Sequence, residues 1–169
     1  MRDKIRTIDE LKKIRAQYKE EGYLVATTNG SFDLLHIGHM YMLESARRLT
    51  DELVVLINSD NSISRLKGPR RPIVPERERA EMLSALEYVS HICIFDDDNP
   101  LSYITELKPD IHIKGATFEE RRVSEERKLV ESWGGKHITL PLVEGYSTTN
   151  LIERILRAHD SGDLNHTNK

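Results

Sequence analysis

The sequence predicts an α/β fold, a doubly wound parallel sheet of five strands with helices on both faces. Three observations carry that reading. Short, continuously apolar runs such as Leu53-Val54-Val55-Leu56-Ile57 have the pattern of strands buried on both faces. These runs alternate with segments of helical spacing, the order that builds a parallel sheet through crossover helices. The polar, glycine-bearing stretches fall just after the strand-like runs, where open parallel sheets bind ligands.

The elements follow in order. Thr7-Ile8-Asp9-Glu10 reads as a capping box, and Ile8, Leu11, Ile14 and Tyr18 continue with near-helical spacing to a stop at Gly22. Tyr23 to Thr28 is the first strand, Gly38 to Leu49 the next helix, and Leu53 to Ile57 the second strand, ending in Asn58-Ser59-Asp60. A basic loop, Arg65-Leu66-Lys67-Gly68-Pro69-Arg70-Arg71-Pro72, follows. Pro75 suits the first turn of a helix that runs to about Val89. Ile92 to Phe95 is the third strand, and Asn99-Pro100 opens a helix that stops near Pro109. Asp110 to Lys114 is the fourth strand, ending at Gly115. The charged stretch Phe118 to Trp133 is helical, and Gly134-Gly135 stops it. His137 to Leu142 is the fifth strand, and Ser147-Thr148-Thr149-Asn150 caps a helix from Leu151 to about Ala158.

The totals bound the rest. A chain of 169 residues suits one domain, 1–158 including an N-terminal helix within 1–22, with 159–169 as a polar, disordered tail. A net charge of −3 argues against a nucleic-acid wrapper or a polybasic membrane-surface protein. No apolar run approaches the roughly 20 residues of a membrane span, and the charged start lacks a signal-peptide core. Cys93 is the only cysteine, which removes internal disulfides and reads as a small core residue. Together these features favour the cytoplasm.

The chemistry concentrates in Thr28-Asn29-Gly30-Ser31-Phe32-Asp33-Leu34-Leu35-His36-Ile37-Gly38-His39. A strand, a glycine turn and a helix start form an anion site, because free backbone N–H groups and the helix dipole both favour negative charge there. His36 and His39, three apart, lie on one face and reach one phosphate chain. A zinc site at this pair needs further ligands. Asp33 is one candidate, but His91, His112, His137, His159 and His166 are scattered, so no protein metal site is expected. Lys67 in the basic loop follows the second strand. Arg77 and Arg79 occupy the start of the next helix, where a cation opposes the dipole unless an anion lies between. Ser147 and Thr148 open a second helix start with hydroxyls beyond what capping alone requires. Neither GxxxxGK[ST] nor GxGxxG occurs.

These residues resemble the nucleotidyltransferase superfamily that carries a His-x-Gly-His signature, here His36-Ile37-Gly38-His39. Within it the chain is most similar to the heptose 1-phosphate adenylyltransferases. The similar stretches are Thr28–His39, Val55–Asp60, Arg65–Gly68 with Arg71-Pro72-Ile73, Lys114-Gly115, Trp133-Gly134-Gly135 and Glu144–Asn150. One stretch departs. Where such enzymes have Lys-Gly-Gly-Asp-Tyr, this chain has Lys114-Gly115-Ala116-Thr117-Phe118, followed by Glu119-Glu120-Arg121-Arg122.

The resemblance implies a Rossmann-like fold and transfer of AMP from ATP to a sugar 1-phosphate, in the biosynthesis of lipopolysaccharide sugars. His36, His39 and Lys67 would be catalytic. Asn29, Gly30, Ser31, Phe32, Gly38, Arg79, Lys114, Gly115, Ser147 and Thr148 would bind the nucleotide with the two histidines, Arg79 holding the β- and γ-phosphates. Asp33, Asn58, Asp60 and Lys67 would face the acceptor, with Asp33 ordering Mg²⁺ or stabilising the turn. Mg²⁺ would be held mainly by the nucleotide phosphates. A homodimer and a separate sugar kinase are the implied partners. The rival readings are CTP- or ATP-dependent transfer to glycerol phosphate, another polyol phosphate or FMN, and a non-catalytic nucleotide-binding module.

Overall fold

The apolar runs pair as parallel strands. A computed structural model describes residues 4–116, 120–141 and 145–160. Its strands are β1 (Val25–Gly30), β2 (Glu52–Asn58), β3 (His91–Phe95), β4 (Ile111–Gly115) and β5 (Lys136–Leu140). They form one sheet in the order β3-β2-β1-β4-β5, with every neighbour parallel. The helices are α1 (Ile8–Glu21), α2 (Ile37–Arg48), α3 (Asp60–Lys67), α4 (Glu76–Ser84), α5 (Leu101–Leu107), α6 (Glu120–Glu131) and α7 (Thr148–Asp160).

Alternation along β2 explains the layers. Leu53, Val55 and Ile57 face one side, where they pack with Leu43 and Ala46 of α2 and Ala80 and Leu83 of α4. Val54 and Leu56 face the other, where they meet Leu11 of α1, Ile104 and Leu107 of α5, and Val130 of α6. Cys93 belongs to this second cluster, as its apolar neighbours predict, and burial pushes its thiol up to about 12.

Several boundaries differ from the sequence reading. The first strand starts two residues later, because the Gly22 cap turns the chain and Tyr23 N–H donates to the Tyr18 carbonyl. The stretch expected as a loop at Arg65–Lys67 is the last turn of α3. The Ser59 hydroxyl caps that helix by accepting from Ser62 N–H at 3.0 Å, and Ile63 anchors it in the core. Lys67 therefore projects from a helix end, and Gly68, at φ +94°, supplies the left-handed turn that follows. Helix α4 ends at Ser84 instead of Val89, in successive turns closed by Leu86 N–H to the Leu83 carbonyl and Val89 N–H to the Leu86 carbonyl. Helix α7 includes His159 and Asp160, which the sequence reading assigned to the tail. Residues 161–169, 117–119 and 142–144 lie outside the described residues.

The order of strands reverses between β1 and β4, so the crossovers leave to opposite sides and open a crevice at the strands' carboxyl ends. Behind it, the turn into β5 is closely packed. Trp133 Nε1–H donates to the Pro109 carbonyl at 3.1 Å, and a Cβ at Gly135 would lie 2.8 Å from Val130 Cγ1 and 2.9 Å from the Pro109 carbonyl oxygen. Gly135→Ala is expected to destabilise the fold by about 1–3 kcal/mol, the cost of overpacking a rigid site. Urea unfolding measures it; an unchanged midpoint would mean that the turn between α6 and β5 gives way freely.

Candidate active site

The crevice is a cleft of about 630 Å³ at the carboxyl ends of β1, β2, β4 and β5. One wall is the turn after β1 and the start of α2: Asn29, Gly30, Ser31, Phe32, His36, Gly38 and His39. A second is Asn58 with Ile63, Leu66 and Lys67 of α3. The far end is Lys114, Gly115, Glu126 and Leu140, and the rim carries Tyr146, Ser147 and Thr148.

The turn is built by close packing. Phe32 is buried with φ +46°, an unusual conformation for a residue with a side chain, and its ring lies 5.1 Å from that of His39 between centroids. A Cβ at Gly30 would stand 3.2 Å from that phenyl ring. At Gly38 the constraint is again space. A Cβ there would sit 3.0 Å from His36 Cε1 and Nδ1, so glycine lets the His36 imidazole fold over the helix start. The two imidazoles then stack with centroids 3.9 Å apart and planes inclined by 31°.

The His36 backbone N–H donates to His39 Nδ1 at 3.3 Å. That contact places the ring proton of neutral His39 on Nε2. Burial, with the His36 and Lys67 charges behind it, pushes His39 down to about 3, and burial also lowers His36. Both rings are therefore neutral donors in the free protein. Lys67 Nζ donates to Ser31 Oγ at 2.8 Å across the cleft. The side chain as a whole is exposed, but the crowded setting of its ammonium, with Arg71 close by, lowers its pKa. The Lys67 ammonium thus stands opposite two neutral N–H donors, an arrangement suited to a polyanion.

Residues 27–154 match the cytidylyltransferase-like family. The chain belongs to this family of nucleotidyltransferases. Curated relatives include the bifunctional protein HldE of Syntrophotalea carbinolica, 47% identical over 159 residues, which are 94% of this chain and 32% of the relative. The bifunctional protein HldE of Trichlorobacter lovleyi is 45% identical over 92% of this chain and 32% of its own length. The chain spans about a third of these relatives. Among solved structures, a lipopolysaccharide core biosynthesis protein from Thermoplasma volcanium aligns with TM-score 0.59 and 28% identity, covering 74% of this chain and 99% of that one. The pantoate-beta-alanine ligase of Francisella tularensis aligns with TM-score 0.58 at 14% identity, covering 90% of this chain and 78% of that one, and shares the fold.

Most residues singled out from the sequence of this nucleotidyltransferase line the cleft: Asn29 to Phe32, His36, Gly38, His39, Asn58, Lys67, Lys114, Gly115, Ser147 and Thr148. Ser147 caps α7, its hydroxyl accepting from Asn150 N–H at 3.1 Å, and Asn58 Nδ2 donates to Ser62 Oγ at 2.9 Å. Arg79, Asp33 and Asp60, expected to meet phosphate and acceptor, are not among the cleft-lining residues. Arg79 has no exposed surface. Its Nε donates to the Val74 carbonyl at 2.9 Å, Nη1 to the Ser31 carbonyl at 2.6 Å, and Nη2 to Asp60 Oδ1 at 2.8 Å. Asp60 Oδ1 also accepts from Glu76 N–H at 2.8 Å. Asp33 is buried. Its Oδ1 accepts from Ile73 and Val74 N–H at 2.8 and 2.9 Å, and its Oδ2 accepts from Arg71 Nε at 2.7 Å. Of its two expected roles, the turn-stabilising one matches this geometry. The fold uses all three to clamp the signature turn against the segment before α4.

Sequence reasoning missed Tyr41, Met42 and Ser45 on α2 and Glu126 on α6 as cleft residues. Only the helical period from His39 signals the first three. Glu126 carries no local signal.

Two outcomes are expected. Arg79→Ala should lower stability by about 2–3 kcal/mol, since it strands two backbone carbonyls and a partnered carboxylate. Thermal melting checks this; an unchanged melting temperature with a raised nucleotide KM would return Arg79 to phosphate binding. Acid titration gives the second. Unfolded His39 protonates near its ordinary 6.5 and folded His39 near 3, so its contribution is complete above pH 6.5 and is lost as pH falls toward 3. His39→Gln should flatten the decline of melting temperature between pH 7 and 5, and an unaltered slope would contradict the burial argument.

Proposed function

We propose that this chain is an adenylyltransferase that joins AMP from ATP to a heptose 1-phosphate, giving ADP-heptose and pyrophosphate. The observation that carries the reading is the stacked, neutral His36–His39 pair facing Lys67 at the strand-order switch. Support for the nucleotide sugar comes from the HldE relatives. These relatives are bifunctional proteins, and a chain matching about a third of their length corresponds to one of two activities.

In the reaction a phosphate oxygen of the acceptor attacks the α-phosphorus of ATP. The new O–P bond forms as the bond to the bridging oxygen breaks, and pyrophosphate leaves with that electron pair. A phosphate monoester with a second pKa near ~6 is already largely dianionic at neutral pH, so no protein base is needed. His39 Nε2–H and the His36 ring donate to phosphate oxygens where charge builds up. Lys67 exchanges Ser31 for the α-phosphate and the leaving group. The N-termini of α2 and α7 face the same phosphate chain. Lys114 and Gly115 border the base, and Ser147 and Thr148 lie toward the γ-phosphate. Asp33, the carboxylate of the signature turn, is fully engaged with Arg71 and two backbone N–H groups. Mg²⁺ therefore belongs to the substrate as MgATP, carried on phosphate oxygens. The reading places the protein in the cytoplasm as a homodimer, supplied by a separate sugar kinase. No helix among the described residues is long and apolar enough to cross a membrane.

The test is pyrophosphate release with Mg²⁺, pairing ATP and CTP with heptose 1-phosphate, other sugar phosphates, polyol phosphates and FMN. Release confined to ATP and heptose 1-phosphate is expected. Release with another pair would keep the chemistry and change the substrate, and nucleotide binding without release would favour a binding module. His36→Ala, His39→Ala and Lys67→Ala should each reduce kcat by roughly 10²–10³ at little cost in folding. Near-full turnover in either histidine variant would remove the pair from the mechanism.

A further inference from the structure

A second group of histidines lies behind the far end of the cleft. His112 on β4 and His137 on β5 are register partners in a parallel pair, so their side chains leave the same face of the sheet. Helix α6, the crossover between these strands, brings Glu126 over that face. One ligating atom from each of the three lies within 4.8 Å of the others, and His112 Nε2 stands 3.5 Å from Glu126 Oε2. His112 and Glu126 are almost wholly buried.

The polar atoms here have no ordinary partners. His112 Nε2, Glu126 Oε2 and both ring nitrogens of His137 are buried without a hydrogen bond. Buried polar atoms are nearly always paired, so four such atoms in one cluster need a cause. The His112–Glu126 separation is too long for a strong hydrogen bond. Their outer contacts are in place, however. His112 Nδ1 lies 2.7 Å from Thr27 Oγ1, and Lys114 Nζ is 3.1 Å from Glu126 Oε1. When His112 Nδ1–H donates to Thr27, its Nε2 lone pair points toward Glu126, and an oriented imidazole of this kind is the common support of a metal ligand.

We propose that His112, His137 and Glu126 form a binding site for a divalent transition-metal ion of the zinc type, separate from the phosphate-binding turn. Two imidazoles and one carboxylate suit zinc and its neighbours, whereas calcium and magnesium prefer all-oxygen sites. Metal–ligand distances of about 2.0–2.2 Å place ligand atoms roughly 3.3–3.6 Å apart in a tetrahedron. The His112–Glu126 spacing of 3.5 Å meets this already, and a His137 ring nitrogen lies within 4.8 Å of both, close enough to complete the triangle. The ion joins β4, α6 and β5 and fixes, through Glu126, the wall that carries Lys114. This assignment does not depend on the reaction proposed above.

The test is titration of chelator-treated protein with Zn²⁺ by calorimetry, and with Co²⁺ by visible absorption. One saturable equivalent, tetrahedral Co²⁺ bands and a raised melting temperature are expected, with no competition from excess Mg²⁺. His137→Gln should lose saturable binding. Thr27→Val, a near-isosteric change, should weaken it about 10–100-fold. His36→Ala should retain it. Circular dichroism establishes that each variant is folded. Absence of saturable binding to the wild-type chain would overturn the proposal. So would binding that survives His137→Gln, or binding lost in His36→Ala.

Discussion

The Arg79 guanidinium is the constraint on which the cleft depends. It is fully buried and joins three separate segments: the carbonyl after β1, the carbonyl before α4, and the carboxylate at the start of α3. Asp33 acts in parallel from the other side, holding the 71–74 segment by two backbone N–H groups and Arg71. Together they convert three loops into one rigid edge. A planar fork with fixed donor directions suits such a junction better than a flexible ammonium would. The cleft-lining side chains can then be few, because their positions are set by groups outside the cleft wall.

Within that frame the site works with dipoles more than with charges. Stacking two imidazoles 3.9 Å apart would be costly if both were protonated, and burial keeps them neutral. Neutral N–H donors held in place can stabilise developing negative charge without reorganising. Lys67 supplies a full charge from the end of a helix, where the dipole favours a cation before any ligand arrives. Gly38 makes the stack possible by its size.

Much of this was legible in the sequence. The five apolar runs gave the parallel sheet, and the His36-Ile37-Gly38-His39 turn pointed to the mouth of the cleft, because both are local patterns with a direct physical cause. The α3 helix was less legible. Its basic composition read as a loop, while its formation rests on the Ser59 cap and the burial of Ile63, the latter a tertiary contact. Arg79 and Asp33 were found as polar residues near the site, but their partners lie 40 or more positions away in several contacts, so clamp and ligand looked alike. His112 and His137 seemed scattered since only the β4–β5 register brings them together.

The outer edge of β3 has its own significance. Ile5 bridges to Ile92, and Arg6 N–H donates to the Ile92 carbonyl at 2.8 Å, so the chain ahead of α1 lies against the exposed side of the last strand. Lys4 adds a bond from its ammonium to the Leu86 carbonyl. An uncovered strand edge is a template for pairing with other chains, and here a few residues of the same chain occupy it. Trimming residues 4–6 would remove none of the cleft-lining residues while uncovering that strand edge. The same few residues that lead into α1 thus shield the β3 edge from pairing with another chain.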